Sequence, residues 1–126
     1  MKAILVVEDD QATRLLLRDT LSEVEGWVVT VVEDGAKALE ALNSVQPHLI
    51  VLDVNMPGLD GLAVYRLLRE RAGLAEVPVL FVTAAPPEPM DSMKGQHRYL
   101  AKPFDVDDLI VAAAELLGVE PPDIIG

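Results

Sequence analysis

Along this chain, short, mostly apolar runs alternate with longer stretches of helical spacing. The runs are Ala3 to Val7, Trp27 to Val32, His48 to Leu52, Val79 to Val82 and a short fifth, Arg98 to Ala101. Apolar runs of four to six residues, bounded by turn signals, read as strands buried in a parallel sheet. Between them, Gln11 to Val24 places Leu16, Leu17, Leu21 and Val24 on one helical face. Ala36, Leu39, Ala41 and Leu42 mark a second helix, opened by Asp34-Gly35 and broken by Pro47. Leu62, Tyr65, Leu68 and Ala72 mark a third, and Asp105 caps a last one that turns Leu109, Ile110, Ala113 and Leu117 inward. Strand and helix alternate throughout, which predicts an α/β fold with a parallel sheet, helices on both faces and right-handed crossovers.

One segment breaks the rhythm. Pro86, Pro87 and Pro89 stand within four residues after the fourth strand. A long helix cannot begin there before about Glu88, so the helix between the fourth and fifth strands is expected to be short or irregular. Residues 1–118 read as one domain, and residues 119–126, with Pro121-Pro122, as a tail or the start of a linker. A free-standing domain is slightly favoured over one cut from an effector.

Composition narrows the function classes. The 126 residues carry a formal charge of −11, which argues against a nucleic-acid surface on this domain. There is no cysteine, hence no disulfide and no thiolate metal site. The first apolar run is too short for a signal peptide and ends in Glu8-Asp9-Asp10, and no apolar stretch is long enough to span a membrane. A cytoplasmic protein without membrane contact is expected.

The strand ends carry the chemistry. In a parallel sheet the carboxyl ends of strands one, three, four and five share one edge, where ligands of open α/β sheets bind. That edge would bring together Glu8, Asp9, Asp53, Thr83 and Lys102. Asp9 or Asp10 could equally cap the first helix. Two carboxylates about 5 Å apart repel by roughly 3 kcal/mol at an effective dielectric near 20, so such a site raises a pKa or recruits a cation. Hard oxygen donors without His or Cys favour Mg2+ or a similar ion. Lys102 suits a phosphoryl group and Thr83 can donate to one of its oxygens, leaving Asp53 as the candidate nucleophile.

Four stretches then carry a resemblance: Val6-Val7-Glu8-Asp9-Asp10; Leu52-Asp53-Val54-Asn55-Met56-Pro57-Gly58-Leu59-Asp60-Gly61; Val82-Thr83-Ala84; and Tyr99-Leu100-Ala101-Lys102-Pro103-Phe104. In this order, each at an expected strand end, they resemble the receiver (response-regulator) domain of two-component signalling, from Lys2 to about Gly118. The resemblance implies a flavodoxin-like doubly wound sheet of order 2-1-3-4-5. It implies that Asp53 accepts a phosphoryl group from a sensor histidine kinase or phosphotransfer protein. Asp9 and Asp53 would ligate Mg2+, with Glu8 nearby through water and Asn55 offering its backbone carbonyl. Lys102 would pair with the phosphoryl group, the Lys102-Pro103 bond would be cis, and Thr83 and Tyr99 would form a switch pair. A downstream effector protein or domain would read the switch, with a homodimer on activation as one possible form. The family docks its kinase partly on the first helix, which nominates Leu15, between Arg14 and Arg18, as an exposed contact. Such a module catalyses only its own phosphotransfer and autodephosphorylation. The competing reading is a degenerate receiver, an interaction module that works without phosphorylation. A dehalogenase-type phosphatase would need an Asp where Asn55 stands. A flavodoxin would need a phosphate loop where Glu8-Asp9-Asp10 repels one.

Overall fold

The computed structural model describes residues 1–54, 61–71, 73–84 and 97–122. Its elements are β1 (Lys2–Val7), α1 (Gln11–Ser22), β2 (Trp27–Val32), α2 (Gly35–Ala41), β3 (Leu49–Leu52), α3 (Gly61–Glu70), β4 (Val79–Thr83), β5 (His97–Ala101) and α4 (Val106–Leu117). The strands are all parallel, in the order β2-β1-β3-β4-β5. This is the flavodoxin-like sheet expected from the sequence. The register sets the site: Val7 pairs with Leu52, and Leu52 with Phe81, so β1 and β3 end level with one another and β4 continues two residues further, to Thr83.

Side chains alternate across the sheet as strand geometry requires. Ile4, Val6, Val51, Leu80 and Val82 pack under α1 and α4 against Leu17, Leu21, Leu109 and Ala113. Leu5, Val7, Ile50, Leu52 and Phe81 pack on the other face against Ala38, Val64, Tyr65 and Leu68. Three helices open with an aspartate cap: Asp10 accepts from the Thr13 amide, Asp34 from Lys37 and Asp105 from Asp107. Asp10, not Asp9, therefore caps α1, and Asp9 is left to the sheet edge. Among the described residues no helix is long and apolar enough to cross a membrane.

Two details of α1 differ from the sequence reading. The helix ends at Ser22 and the chain turns through Gly26, at φ 86°, into β2. Leu16, expected inward, is 45% exposed, while Leu15, expected to project outward, is half-buried. Consecutive residues stand 100° apart on a helix, so a run of three leucines cannot share the face that Leu17 and Leu21 fill. Ala72 and the helix expected between β4 and β5 lie outside the described residues.

Candidate functional site

The level strand ends put three acids and a lysine in one hollow. Glu8, the residue after β1, is 1% exposed; Asp53, the residue after β3, is 5% exposed. The Asp53 amide donates to the Val7 carbonyl at 3.1 Å, which holds the two strand ends side by side. One carboxylate oxygen each from Glu8, Asp9 and Asp53 lie within 4.8 Å of one another. Lys102, just past β5, reaches across the sheet: its Nζ donates to Glu8 Oε1 at 2.7 Å and to Asp53 Oδ2 at 3.1 Å. The Lys102-Pro103 peptide is cis. Thr83 ends β4 fully buried, and its carbonyl accepts both the Lys102 amide, at 3.0 Å, and the Tyr99 hydroxyl, at 3.2 Å. Tyr99 is thus turned towards β4 and half-buried. Asn55 and Asp60 lie outside the described residues.

With all three carboxylates ionised against one ammonium, this hollow carries two negative charges in excess, and it is made wholly of hard oxygen donors. That donor set fits magnesium. Glu8 registers the strain. Burial pushes its carboxyl from 4.5 up to about 7, and the Asp53 charge adds to this, against the Lys102 hydrogen bond and the Asp10 amide, which pull it down. Burial alone would lower Lys102, but its contacts with Glu8 and Asp53 outweigh that and raise it.

A pH dependence follows. Between about pH 4.5 and 7 the folded protein holds a proton on Glu8 that the unfolded chain has released. The stability this group contributes is therefore fully present below about pH 4.5 and lost as pH rises through about 7. Lys102 acts only above its ordinary range and leaves that window untouched. From about pH 5 to about pH 7.5, the metal-free protein is expected to lose of the order of 2 kcal/mol relative to Glu8→Gln. Urea unfolding of both proteins across this range checks it; parallel profiles would contradict it.

Beside the hollow runs a shallow groove lined by Thr13, Leu16, Ala84, Lys102, Pro103 and Phe104. Leu16 is thus the exposed leucine next to the acids, in the place the sequence had given to Leu15. Two further residues escaped the sequence reading. Arg14 donates to the carbonyls of Glu8 and Asp9. Gly61 opens α3 directly against the Asp53 backbone. The one signal for Arg14 is a cation in the first turn after three acids; for Gly61 there is only the glycine itself.

Residues 4–114 match the family model of the response regulator receiver domain. The chain is a response-regulator receiver domain. It is 41% identical to the response regulator MprA of Mycolicibacterium vanbaalenii over 95% of this chain and 52% of that one. The chain thus spans about half the length of the curated relatives it matches. Among solved structures, the receiver domain of the Francisella response regulator 1452 superposes with a TM-score of 0.81 at 30% identity, covering 94% of this chain and 98% of the other. The Thermotoga maritima response regulator TrrA, in complex with Mg2+ and BeF, gives 0.80 at 32% identity, covering 92% and 99%. The acidic hollow of this receiver fits a phosphorylation site.

Proposed function

We propose that this receiver is a phosphorylation-controlled switch in which Asp53 takes a phosphoryl group from a histidine kinase or phosphotransfer protein. The observation that carries the reading is the Lys102 ammonium held between Glu8 and Asp53 at the rim of the sheet. Asp53 has the position of a nucleophile: a carboxylate at a strand end, backed by the β1–β3 hydrogen bond and held by the Lys102 ammonium. In the transfer, a carboxylate oxygen of Asp53 bonds to phosphorus as the donor's P–N bond breaks. The bonding pair leaves with the donor imidazole. Lys102 exchanges a carboxylate partner for the incoming phosphoryl oxygens, and the Thr83 hydroxyl donates to one of them. Glu8, Asp9 and Asp53 would hold Mg2+, with Asn55 as a further ligand through its carbonyl; the ion supplies charge neutralisation for phosphoryl oxygens.

The readout rests on Thr83 and Tyr99. The Tyr99 hydroxyl is tied to the carbonyl of Thr83, so any shift of Thr83 towards a phosphoryl group is passed to β5. An effector protein or domain, or a second receiver, would read that change. The domain turns over no outside substrate, and the cytoplasm is its proposed compartment. The degenerate alternative has no support at the site, whose acids and lysine are all in place. Partner docking is proposed along α1, where Leu15 is half-buried and Leu16 faces the groove beside Phe104.

The test uses two donors, a small phosphodonor and a phosphorylated histidine-phosphotransfer protein. Both are expected to label the wild type with magnesium and neither after chelation. Leu16→Asp is expected to keep labelling by the small donor and lose about tenfold or more with the protein donor, as truncation of an apolar anchor does at an interface. Equal labelling with and without magnesium would contradict the mechanism, and an unchanged protein-donor rate would contradict the docking face.

A further inference from the structure

Asp9 differs from the other acids of the hollow in how its carboxylate is aimed. Lys102 and the Asp10 amide hold Glu8, and Lys102 holds Asp53. Asp9 is exposed, and among the described residues no hydrogen bond to its carboxylate is recorded. Beyond the choice of its own rotamer, its direction is therefore set by its backbone. There Arg14, half-buried one turn into α1, acts on both sides: its Nη1 donates to the Glu8 carbonyl at 3.0 Å and to the Asp9 carbonyl at 3.2 Å. Those two oxygens belong to the two peptide planes that flank the Asp9 Cα. Fixing both planes fixes φ and ψ of Asp9, and with them the line of its Cα–Cβ bond. The Asp10 cap, which accepts the Thr13 amide at 2.9 Å and the Thr13 hydroxyl at 2.6 Å, anchors the far end of the same turn.

We propose that Arg14 is a positioning residue for the cation site: by clamping the peptides on both sides of Asp9, it aims that carboxylate at Glu8 and Asp53. The inference rests on the proposed reading that these acids hold magnesium. Two effects of Arg14 oppose each other. Its positive charge, a few residues from the acids, repels a divalent cation. Its guanidinium keeps a ligand from wandering. The charge acts at the solvent edge, where screening is strong, whereas an unclamped Asp9 must be ordered at the moment of binding. Positioning therefore wins. A lysine at this place keeps the charge and can also donate twice from one nitrogen, as Nη1 does here, but its freely rotating ammonium lacks the fixed donor directions of the planar guanidinium.

Magnesium affinity, measured by calorimetry on the whole chain, separates these effects. Outer-shell groups of metal sites are worth 10- to 100-fold in affinity, and the lower end applies to a backbone clamp. Arg14→Gln is expected to weaken magnesium binding about tenfold, and Arg14→Lys by a smaller factor. The magnesium concentration that half-saturates labelling by a small phosphodonor should move by the same factor, with the rate at saturating magnesium falling far less. Urea unfolding in chelator is expected to change little for either variant, which distinguishes a clamp from a general support of α1. Arg14→Lys is the milder variant and decides the matter if Arg14→Gln fails to fold. Affinity that is unchanged or tighter in a folded variant would overturn the proposal and leave Arg14 as a repulsive charge. A wild type that binds no magnesium would bring down the proposed reading itself, and the clamp with it.

Discussion

Replacing Gly61 with alanine is expected to destabilise the fold by about 3 kcal/mol and to slow phosphorylation of Asp53 by about a hundredfold. Gly61 is the first residue of α3, and its amide donates to the Val54 carbonyl at 2.9 Å. A Cβ added there would overlap the Asp53 carbonyl oxygen and lie 2.6 Å from the Val54 Cα and 2.9 Å from the Asp53 carbonyl carbon. These are backbone atoms, so no rotamer change relieves the clash. Either α3 lifts off the sheet, uncovering Val64, Tyr65 and Leu68, or the strand end carrying Asp53 is pushed aside. The first costs stability and the second costs geometry, and displacement of a reacting group by about 1 Å is worth about a hundredfold in rate. Gly73→Ala is the control. Nothing lies within 4 Å of a Cβ there, but φ is 82°, so the cost is about 1 kcal/mol of backbone strain with the rate unchanged. Urea unfolding and initial labelling rates on the two variants check the contrast. Equal effects at Gly61 and Gly73 would mean that α3 does not press on the phosphoacceptor.

Lys102→Ala is expected to slow phosphorylation by a further order, about a hundred- to a thousandfold at saturating magnesium. That is the usual scale for deleting one preorganised charge aimed at a reacting oxyanion. The variant leaves Glu8 and Asp53 facing each other without the ammonium that bridges them at 2.7 and 3.1 Å. Glu8, already raised to about 7 with Lys102 present, loses the hydrogen bond that held it down and goes higher still. At neutral pH the metal-free variant therefore carries a protonated Glu8, which limits the loss of stability. The loss should be greater near pH 8 than near pH 6, as the proton must be surrendered or the charge left bare. Initial rates and urea unfolding at the two pH values check both halves. A rate within about threefold of wild type would remove Lys102 from the chemistry.

The parallel sheet and the acids at its edge were legible because a few local signals suffice for them; the strand order came only with the family resemblance. A short apolar run places its next residue at a strand end, and parallel strands align those ends, so the Lys102 ammonium and the Glu8 and Asp53 carboxylates lie together at the sheet edge. The helix faces were less legible where the sequence is degenerate. Leu15-Leu16-Leu17 sweeps most of the way round a turn, and the apolar pattern alone does not say which leucine points out. What the sequence hides altogether is contact with main chain. Arg14 acts on two carbonyls and Gly61 leaves room for one, and a carbonyl looks the same at every residue. Whether Asp9 or Asp10 capped α1 was likewise a choice between adjacent carboxylates that only the turn geometry made, in favour of Asp10.

The measurement that bears most directly on the central claim is intact-mass spectrometry of the wild type and Asp53→Asn after incubation with magnesium and a small phosphodonor. One phosphoryl group on the wild type, lost on mild alkaline treatment as an acyl phosphate is, and none on Asp53→Asn, is the result predicted. A phosphoryl group carried equally by Asp53→Asn would contradict the assignment of Asp53, and no adduct on a wild type sampled throughout the time course would contradict the switch itself.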